Sequence, residues 1–466
     1  MDATSPALRI VRLRPGKLIR PLLCALALAL LGTAVAVAVP KQSVNEPFFP
    51  HAGDRNYNAL NYHVRLVYSR GGTVKAVMAM RGRARTRLHR LTLDLDGLEV
   101  SQVKVDGGGA NFNRGHDKLV VHLGTSIPQG QRFKLTVFYS GRPRTIVDED
   151  GSSEGWYPTA DGALAVGEPE GTAAWLPCNN IPIDKATFEA ELIVPKGLTA
   201  VSNGRLTKVA SEPGRRSFHW VEDSPMSTYL AVVDIGRGQL LHTSIAGHPS
   251  WTFLDSALAA PSRQVLAHLP QIIRFESVLY GSYPFAAAGS IVDDAEGLGY
   301  ALETQDRPIY PYVPDLTTVV HETAHQWFGD SVGLKRWPDI WLNEGFATWT
   351  EWYYAERHGG RSAAAIFRKL YRVPASNREF WNPPSARPGL PKHMFGPSVY
   401  VRGAMALQAL REKVGTKALL KTLRLWATRH RHGSGSTGEF LLLAENVSDR
   451  DLGALFHRWL FAPGKP

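Results

Sequence analysis

The chain has 466 residues, 44% hydrophobic and 20% charged, an ordinary globular composition but too long for a single compact core. Its two cysteines, Cys24 and Cys178, exclude a cysteine-based zinc site. The net charge is +11, but residues 1–39 hold Arg9, Arg12, Arg14, Lys17 and Arg20 against Asp2, a net +4 that leaves +7 for the remainder; this mild excess suits an anionic cell surface and does not by itself argue for nucleic acid.

Residues 1–20 are basic, and 22–39 is an unbroken run of apolar and small residues with Ala34, Ala36 and Ala38 near its end. A positive flank, an apolar stretch and small residues at a cleavage point describe a secretory signal. The run of eighteen residues is also just long enough to span a bilayer, so membrane anchoring through 22–39 is the alternative. Either way the rest of the chain is expected to be exported, secreted or anchored to the outer face of the cytoplasmic membrane. Cys24 opens the apolar run instead of closing it, which argues against a lipoprotein anchor. Cys178 then stands alone, and a lone thiol of this kind is expected to be a small buried packing residue.

After a polar, proline-containing lead-in at 41–56, the pattern from Tyr57 to about Ala246 is one of short alternating runs, clearest at 60–68, 90–105, 118–123, 132–139, 187–194 and 229–235. Turn signals such as Asp106-Gly107-Gly108-Gly109 and Ser202-Asn203-Gly204 separate them. This part reads as an all-β sandwich. Within it Arg81, Arg83, Arg85, Arg87 and His89 alternate, which predicts five basic groups on one face of a strand. No aromatic residues interleave with them as stacking platforms, so the pattern reads as a solvated face and not as a nucleic-acid surface. From Trp251 the texture changes. The spacing of Val265, Leu269, Ile272, Ile273, Phe275 and Leu279 predicts a helix over 261–280 that ends at Gly281. Strand-like 290–294 and 300–304 follow. Beyond Ser362 helices are expected over 401–413, 417–429, 437–446 and 451–460. There is no internal repeat and no low-complexity tract after the leader.

The most informative stretch is His321-Glu322-Thr323-Ala324-His325, followed by Asn343-Glu344-Gly345. A helix turns once in about 3.6 residues, so His321 and His325 lie one above the other and can grip one zinc ion. Glu322 points aside from that pair, free to act on a water. A catalytic zinc takes a third protein ligand and keeps an open position. A second helical stretch, 340–357, can return Glu344 to the same metal. The bland alternative, a solvated helix with two chance histidines, loses ground once Asn-Glu-Gly follows.

His321–Gly329 (His-Glu-Thr-Ala-His-Gln-Trp-Phe-Gly) with Trp341-Leu342-Asn343-Glu344-Gly345-Phe346-Ala347 resembles the M1 family of zinc aminopeptidases, gluzincins with a thermolysin-like catalytic domain. The resemblance extends to Pro177-Cys178-Asn179-Asn180-Ile181-Pro182 with Lys185-Ala186-Thr187-Phe188, to Val194-Pro195-Lys196-Gly197 leading to Val201-Ser202-Asn203-Gly204, and to Met226-Ser227-Thr228-Tyr229-Leu230. It implies one Zn2+ per chain on His321, His325 and Glu344, with Glu322 as general base. Ser398–Ala404 resembles the family's Tyr-x-Lys-Gly-Ala segment, which implies that the Tyr400 hydroxyl stabilises the oxyanion; Arg402 stands where the family has lysine. Glu351, two turns beyond Glu344, matches the glutamate that fixes a ligand histidine. For the substrate's free amino terminus the resemblance points to Glu168 and to Glu303. Glu303 lies in Tyr300-Ala301-Leu302-Glu303-Thr304, a departure from the family's Gly-x-Met-Glu-Asn, with Leu for Met, Thr for Asn and the glycine out of register.

The fold expected is therefore multidomain: a signal peptide or anchor at 1–40, an N-terminal β-sandwich at 41–246, and a thermolysin-like α+β, mainly helical zinc peptidase domain at 247–466. The chain leaves no room for the family's large helical C-terminal domain, so a more open site that admits longer peptides is expected. The function expected is removal of N-terminal residues from peptide substrates. The alternatives are a metallo-endopeptidase of related fold, if Glu303 and Glu168 do not converge, and an inactive peptidase-like surface binding module.

Overall fold

The computed structural model describes residues 46–115 and 117–466; the leader at 1–40, with its signal or anchor, lies outside the described residues. Among the described residues no helix is long and apolar enough to cross a membrane.

The first half is β-structure. An eight-stranded sheet runs in the order Arg205–Glu212, Arg215–Met226, Ala186–Pro195, Tyr57–Ser69, Thr73–Ala84, Arg132–Gly141, Glu99–Val105, Gly108–Gly109. All its pairs are antiparallel except Tyr57–Ser69 against Ala186–Pro195. Period-two alternation sets its faces: along Thr73–Ala84, Val74, Ala76, Met78 and Met80 are buried while Lys75, Arg81 and Arg83 are exposed. A three-stranded sheet (Leu88–Asp94, Lys118–Ile127, Phe112–Arg114) and a five-stranded sheet complete this half. In the latter, Ala163–Val166 and Val233–Gly236 are buried at every residue, so both faces are covered.

Two expectations change here. The run 90–105 is not one strand: it breaks after Asp94, and Gly97, at φ +71°, turns the chain into a different sheet. The five basic residues 81–89 are all exposed, but they do not share a strand face, because the strand ends at Ala84 and the next begins at Leu88 in another sheet.

In the second half a four-stranded sheet (Gly238–Ile245, His248–Asp255, Ala288–Val292, Ile309–Tyr310) leads into helices. The 246/247 division falls at the tip of its first hairpin, where Ala246 and Gly247 have φ of 50° and 91°. The helix expected over 261–280 is two, α1 (Ala259–Leu266) and α2 (Leu269–Tyr280), because Pro270 has no N–H to continue the ladder. Helices α3 (Leu316–Ala324), α4 (Trp341–Arg357), α5 (Ala363–Leu370), α6 (Arg378–Trp381), α7 (Pro397–Val414), α8 (Thr416–Arg429) and α9 (Thr437–Ser448) follow. The last expected helix, 451–460, is a short turn, Gly453–Phe456, running into a wider π-type turn at His457–Phe461.

Buried polar anchors tie the halves together. The Arg307 guanidinium, fully buried, donates to the carbonyls of Trp251 (2.9 Å), Gly204 (2.7 Å) and Ser202, and stacks 4.8 Å over the Trp220 ring. Lys185 donates to the carbonyls of Asp330 and Ser331 (3.1 Å), fixing the turn just beyond α3. Arg402, also buried, donates to the carbonyls of Trp381, Arg458, Trp459 and Ala462, so it holds the C-terminal turn against α7. Four carbonyls in different directions suit a guanidinium fork better than an ammonium.

The contact between α4 and α7 is close because both helices carry glycine where they cross. A methyl group on Gly345 would lie 2.9–3.2 Å from Gly403 and the nitrogen of Ala404. Gly345→Ala is therefore expected to push the helices apart and destabilise the protein by about 1–3 kcal/mol, read as a lower midpoint of thermal unfolding. An unchanged midpoint would mean that the crossing is not tight.

Candidate metal centre and substrate cleft

Asp315 caps α3, its carboxylate accepting from the Thr318 N–H at 2.8 Å, so the helix starts at Leu316 and delivers one histidine per turn. His325 sits just past the last helical residue with its backbone still helical. Helix α4 then brings Glu344 across. One oxygen, Oε2 of Glu344, lies 3.2 Å from His321 Nε2 and 3.5 Å from His325 Nε2. Tetrahedral bonds of about 2.0–2.1 Å to zinc would space such donors by ~3.3 Å. The donor set, two imidazoles and a carboxylate within 4.8 Å of one another, thus fits a zinc ion.

The ring orientations are fixed from behind. His321 Nδ1 donates to Glu351 Oε1 at 2.6 Å, and His325 Nδ1 donates to the Phe328 carbonyl at 3.0 Å, which turns both Nε2 atoms toward Glu344. Burial disfavours charge on His325, but Glu344 and Glu303 outweigh it and raise its pKa to about 9. Burial also opposes ionisation of Glu344, and the two histidines outweigh it, bringing its pKa down to about 2. Without metal, then, the cluster holds protons on its imidazoles and a carboxylate on Glu344.

Glu322, on α3 between the histidines, is buried, and burial lifts its pKa to about 7 against the pull of both imidazoles. Tyr400 lies on the first turn of α7, its ring 6.0 Å from that of His321 and nearly parallel to it. Burial, then the charges of Glu344 and Glu168, push its hydroxyl well above the usual tyrosine range, so it stays a donor. The crossing of Gly345 with Gly403 explains how Glu344 and Tyr400, each within three residues of it, reach one cleft.

These groups open on a cavity of ≈ 480 Å³, within the usual range for ligand sites. Its lining includes six carboxylates (Asp150, Glu168, Glu303, Glu322, Glu344, Glu351) and no lysine or arginine. Glu168 comes from the β half and Glu303 from the loop between Ala288–Val292 and Ile309–Tyr310, yet one oxygen of each lies within 4.8 Å of the other and of an oxygen of Glu344. Oε1 of each is buried without a hydrogen-bond partner among the described residues. Burial raises both, and in Glu168 the neighbouring Glu303 and Glu344 add to it. The stretch 300–304 is not the strand its sequence suggests. Only Leu302 pairs, with Ile309, and a tight turn through Asp306 (φ +61°) carries Glu303 into the cleft.

Every site residue expected from sequence lies in or behind this cleft. Behind it Asp339 accepts from Thr437, fixing the loop before α4 to α9. Cys178 is fully buried. Sequence reasoning missed the aromatic walls Tyr300, Tyr312 and Phe395 and the loop residues Asp150 and Ser152. They come from separate loops with no shared motif, so no local signal marks them.

Fold and site together define a zinc metallopeptidase. The model of the peptidase M1 N-terminal domain matches residues 58–230 and that of the peptidase family M1 domain matches 314–459. The chain belongs to peptidase family M1. The M1 zinc metallopeptidase of Deinococcus radiodurans is similar, with a TM-score of 0.84 and 27% identity over 91% of this chain and 98% of that one. A variant of that enzyme bound to a Tyr-Ser-Ala substrate superposes with a TM-score of 0.83 and 27% identity over 90% and 97% of the two chains. Among curated relatives, the leucyl aminopeptidase of Saccharolobus solfataricus is 24% identical over 422 residues, 81% of this chain and 50% of that protein. The tricorn protease-interacting factor F2 of Thermoplasma acidophilum is 23% identical over 425 residues, again 81% and 50%. The chain thus spans about half the length of the curated relatives it matches.

Two outcomes follow for the metal centre. Zinc must displace imidazole protons, so its uptake at pH 7 releases protons, and apparent affinity rises as pH is raised toward 9. Calorimetry in buffers of different ionisation enthalpy reads this directly, and zinc uptake without proton release would contradict it. Glu351→Ala removes the acceptor that orients His321 and should weaken zinc binding about 10–100-fold, measured by chelator competition.

Proposed function

We propose that this protein is a metallo-aminopeptidase that hydrolyses the first peptide bond of peptides with a free amino terminus, using one zinc ion per chain. The observation that carries this reading is the pair of buried, unpartnered carboxylate oxygens of Glu168 and Glu303 beside the metal ligands. A buried acceptor without a donor is unfavourable, and a substrate ammonium brings three N–H donors and the opposite charge. Held there, beside the metal ligand Glu344, the amino terminus would bring the first peptide bond to the catalytic groups.

When bound, zinc lowers the pKa of a water to about 7 and polarises that carbonyl. Glu322 takes the proton of the attacking water as general base and delivers it to the leaving amine. Tyr400 donates its hydroxyl to the oxygen that becomes negative as the carbonyl carbon turns tetrahedral. Glu344 and the two histidines hold the metal, and Glu351 holds His321. The basic segment 1–20 and the apolar run 22–39 support export of the chain, with 22–39 as a cleaved signal or an anchor.

The test uses two peptides that differ only by N-terminal acetylation, followed by mass spectrometry. The free peptide should lose residues one at a time while the acetylated one survives. Glu322→Gln should lower kcat by about 10²–10⁴-fold with zinc retained. Glu303→Gln should raise KM for the free peptide and narrow its advantage over the acetylated one. Internal cleavage of both peptides would keep the hydrolytic chemistry and overturn the amine-anchor assignment.

A further inference from the structure

Away from the cleft, four aspartates converge between the five-stranded and four-stranded sheets. Asp161 lies in the turn between Ser153–Pro158 and Ala163–Val166, Asp234 in Val233–Gly236, Asp255 at the end of His248–Asp255, and Asp293 just after Ala288–Val292. Carboxylate oxygens of Asp161, Asp255 and Asp293 all lie within 4.8 Å of one another. Facing Asp234 are the carboxylates of Asp293, Asp161 and Asp255.

Their hydrogen bonding is incomplete in an informative way. Asp161 Oδ2 accepts from the Arg237 N–H (2.7 Å), Asp255 Oδ1 from Ala257 (2.6 Å) and Asp293 Oδ1 from Asp294 (3.0 Å). These bonds fix three carboxylates and leave one oxygen of each uncommitted. Asp234 is fully buried; among the described residues no N–H or O–H donor reaches either of its oxygens or Oδ2 of the buried Asp293, and these two carboxylates face each other at hydrogen-bonding distance with no cationic side chain between them. Among the described residues none of the four forms an ion pair. Gly236 makes the approach possible: a Cβ there would sit 3.3 Å from Asp161 Oδ1 and 3.5 Å from Asp293 Oδ1. Unpaired carboxylates in such a place are strongly unfavourable, and a cation among them reverses that balance.

We propose that Asp161, Asp255 and Asp293, with Asp234 against Asp293 behind them, bind a calcium ion that clips the two sheets together. The donors are all oxygen, which suits a hard cation over zinc or copper. Calcium accepts six to eight oxygens in irregular geometry, whereas magnesium demands a near-ideal octahedron and keeps its waters. Asp161 is half-buried and lines an open groove with Arg237 and Gly162, which gives the ion a way in. Asp293 also roots the loop that carries Glu303, so the clip would brace the wall of the substrate cleft from behind. The assignment does not depend on the peptidase reading.

The full chain, loaded with zinc so that the cleft ligands are occupied, is titrated with CaCl2 by calorimetry and its thermal unfolding followed, with MgCl2 as control. One calcium per chain should bind, and the unfolding midpoint should rise with CaCl2 well beyond any effect of MgCl2. Both effects should vanish in the double variant Asp234→Asn/Asp293→Asn. Should that variant not fold, Asp161→Asn, at the half-exposed ligand, should weaken calcium binding at least tenfold. A wild-type chain that takes up no calcium, with a midpoint indifferent to CaCl2, overturns the proposal. Calcium uptake unchanged in Asp161→Asn overturns the assignment to this cluster.

Discussion

Carboxylates held out of water must find positive charge or keep a proton, and the second half of this molecule is arranged around that constraint. The cleft gathers six of them with only two imidazoles and no lysine or arginine in its lining. Such an excess is unstable in isolation. It becomes favourable when a divalent cation and a cationic substrate group complete it. The balance is divided by position: Glu344 and Glu351 point at the histidines, whereas Glu168 and Glu303 keep an oxygen with no partner. The satisfied acids face the histidines, and in the function proposed above the unsatisfied ones take the substrate's ammonium.

The backbone meets this constraint by close packing. Four elements distant in sequence must bring side chains to one point. Gly345 and Gly403 let α4 and α7 touch backbone to backbone, which draws Glu344 and Tyr400 toward α3. Lys185, reaching from the β half to the carbonyls beyond α3, fixes the turn that follows the second histidine. The β half is thus part of the site: it supplies Glu168 and holds the zinc-binding helix at its end.

Much of this was legible in the sequence, for identifiable reasons. His321, Glu322, His325, Glu344 and Glu351 lie on two helices, and helical period alone decides which of them share a face. The β character of the first half followed from period-two alternation, which burial on one face enforces. What was not legible depends on how the chain turns between sheets. The run 90–105 alternates without interruption, yet Gly97 sends its two ends into different sheets. The helical spacing of 261–280 is continuous in hydrophobicity and broken in hydrogen bonding by Pro270. The aromatic walls of the cleft have no sequence signature at all, because only the assembled fold makes neighbours of Tyr300, Tyr312 and Phe395.

The segment around Glu303 is where pattern and structure part most clearly, and the reason is physical. Read as a strand, 300–304 departs from the family motif at three places. In the structure only Leu302 forms a bridge, and the residues after it turn sharply, with the Thr304 hydroxyl donating to the Arg307 carbonyl at 2.6 Å and the Asp306 N–H to Gln326 Oε1 at 2.7 Å. The buried Arg307 then anchors this turn to three carbonyls of neighbouring segments. Glu303 is therefore positioned by a turn locked from both sides, not by strand pairing. Motif residues that serve strand pairing can change without moving the acid, provided the turn and its arginine anchor remain.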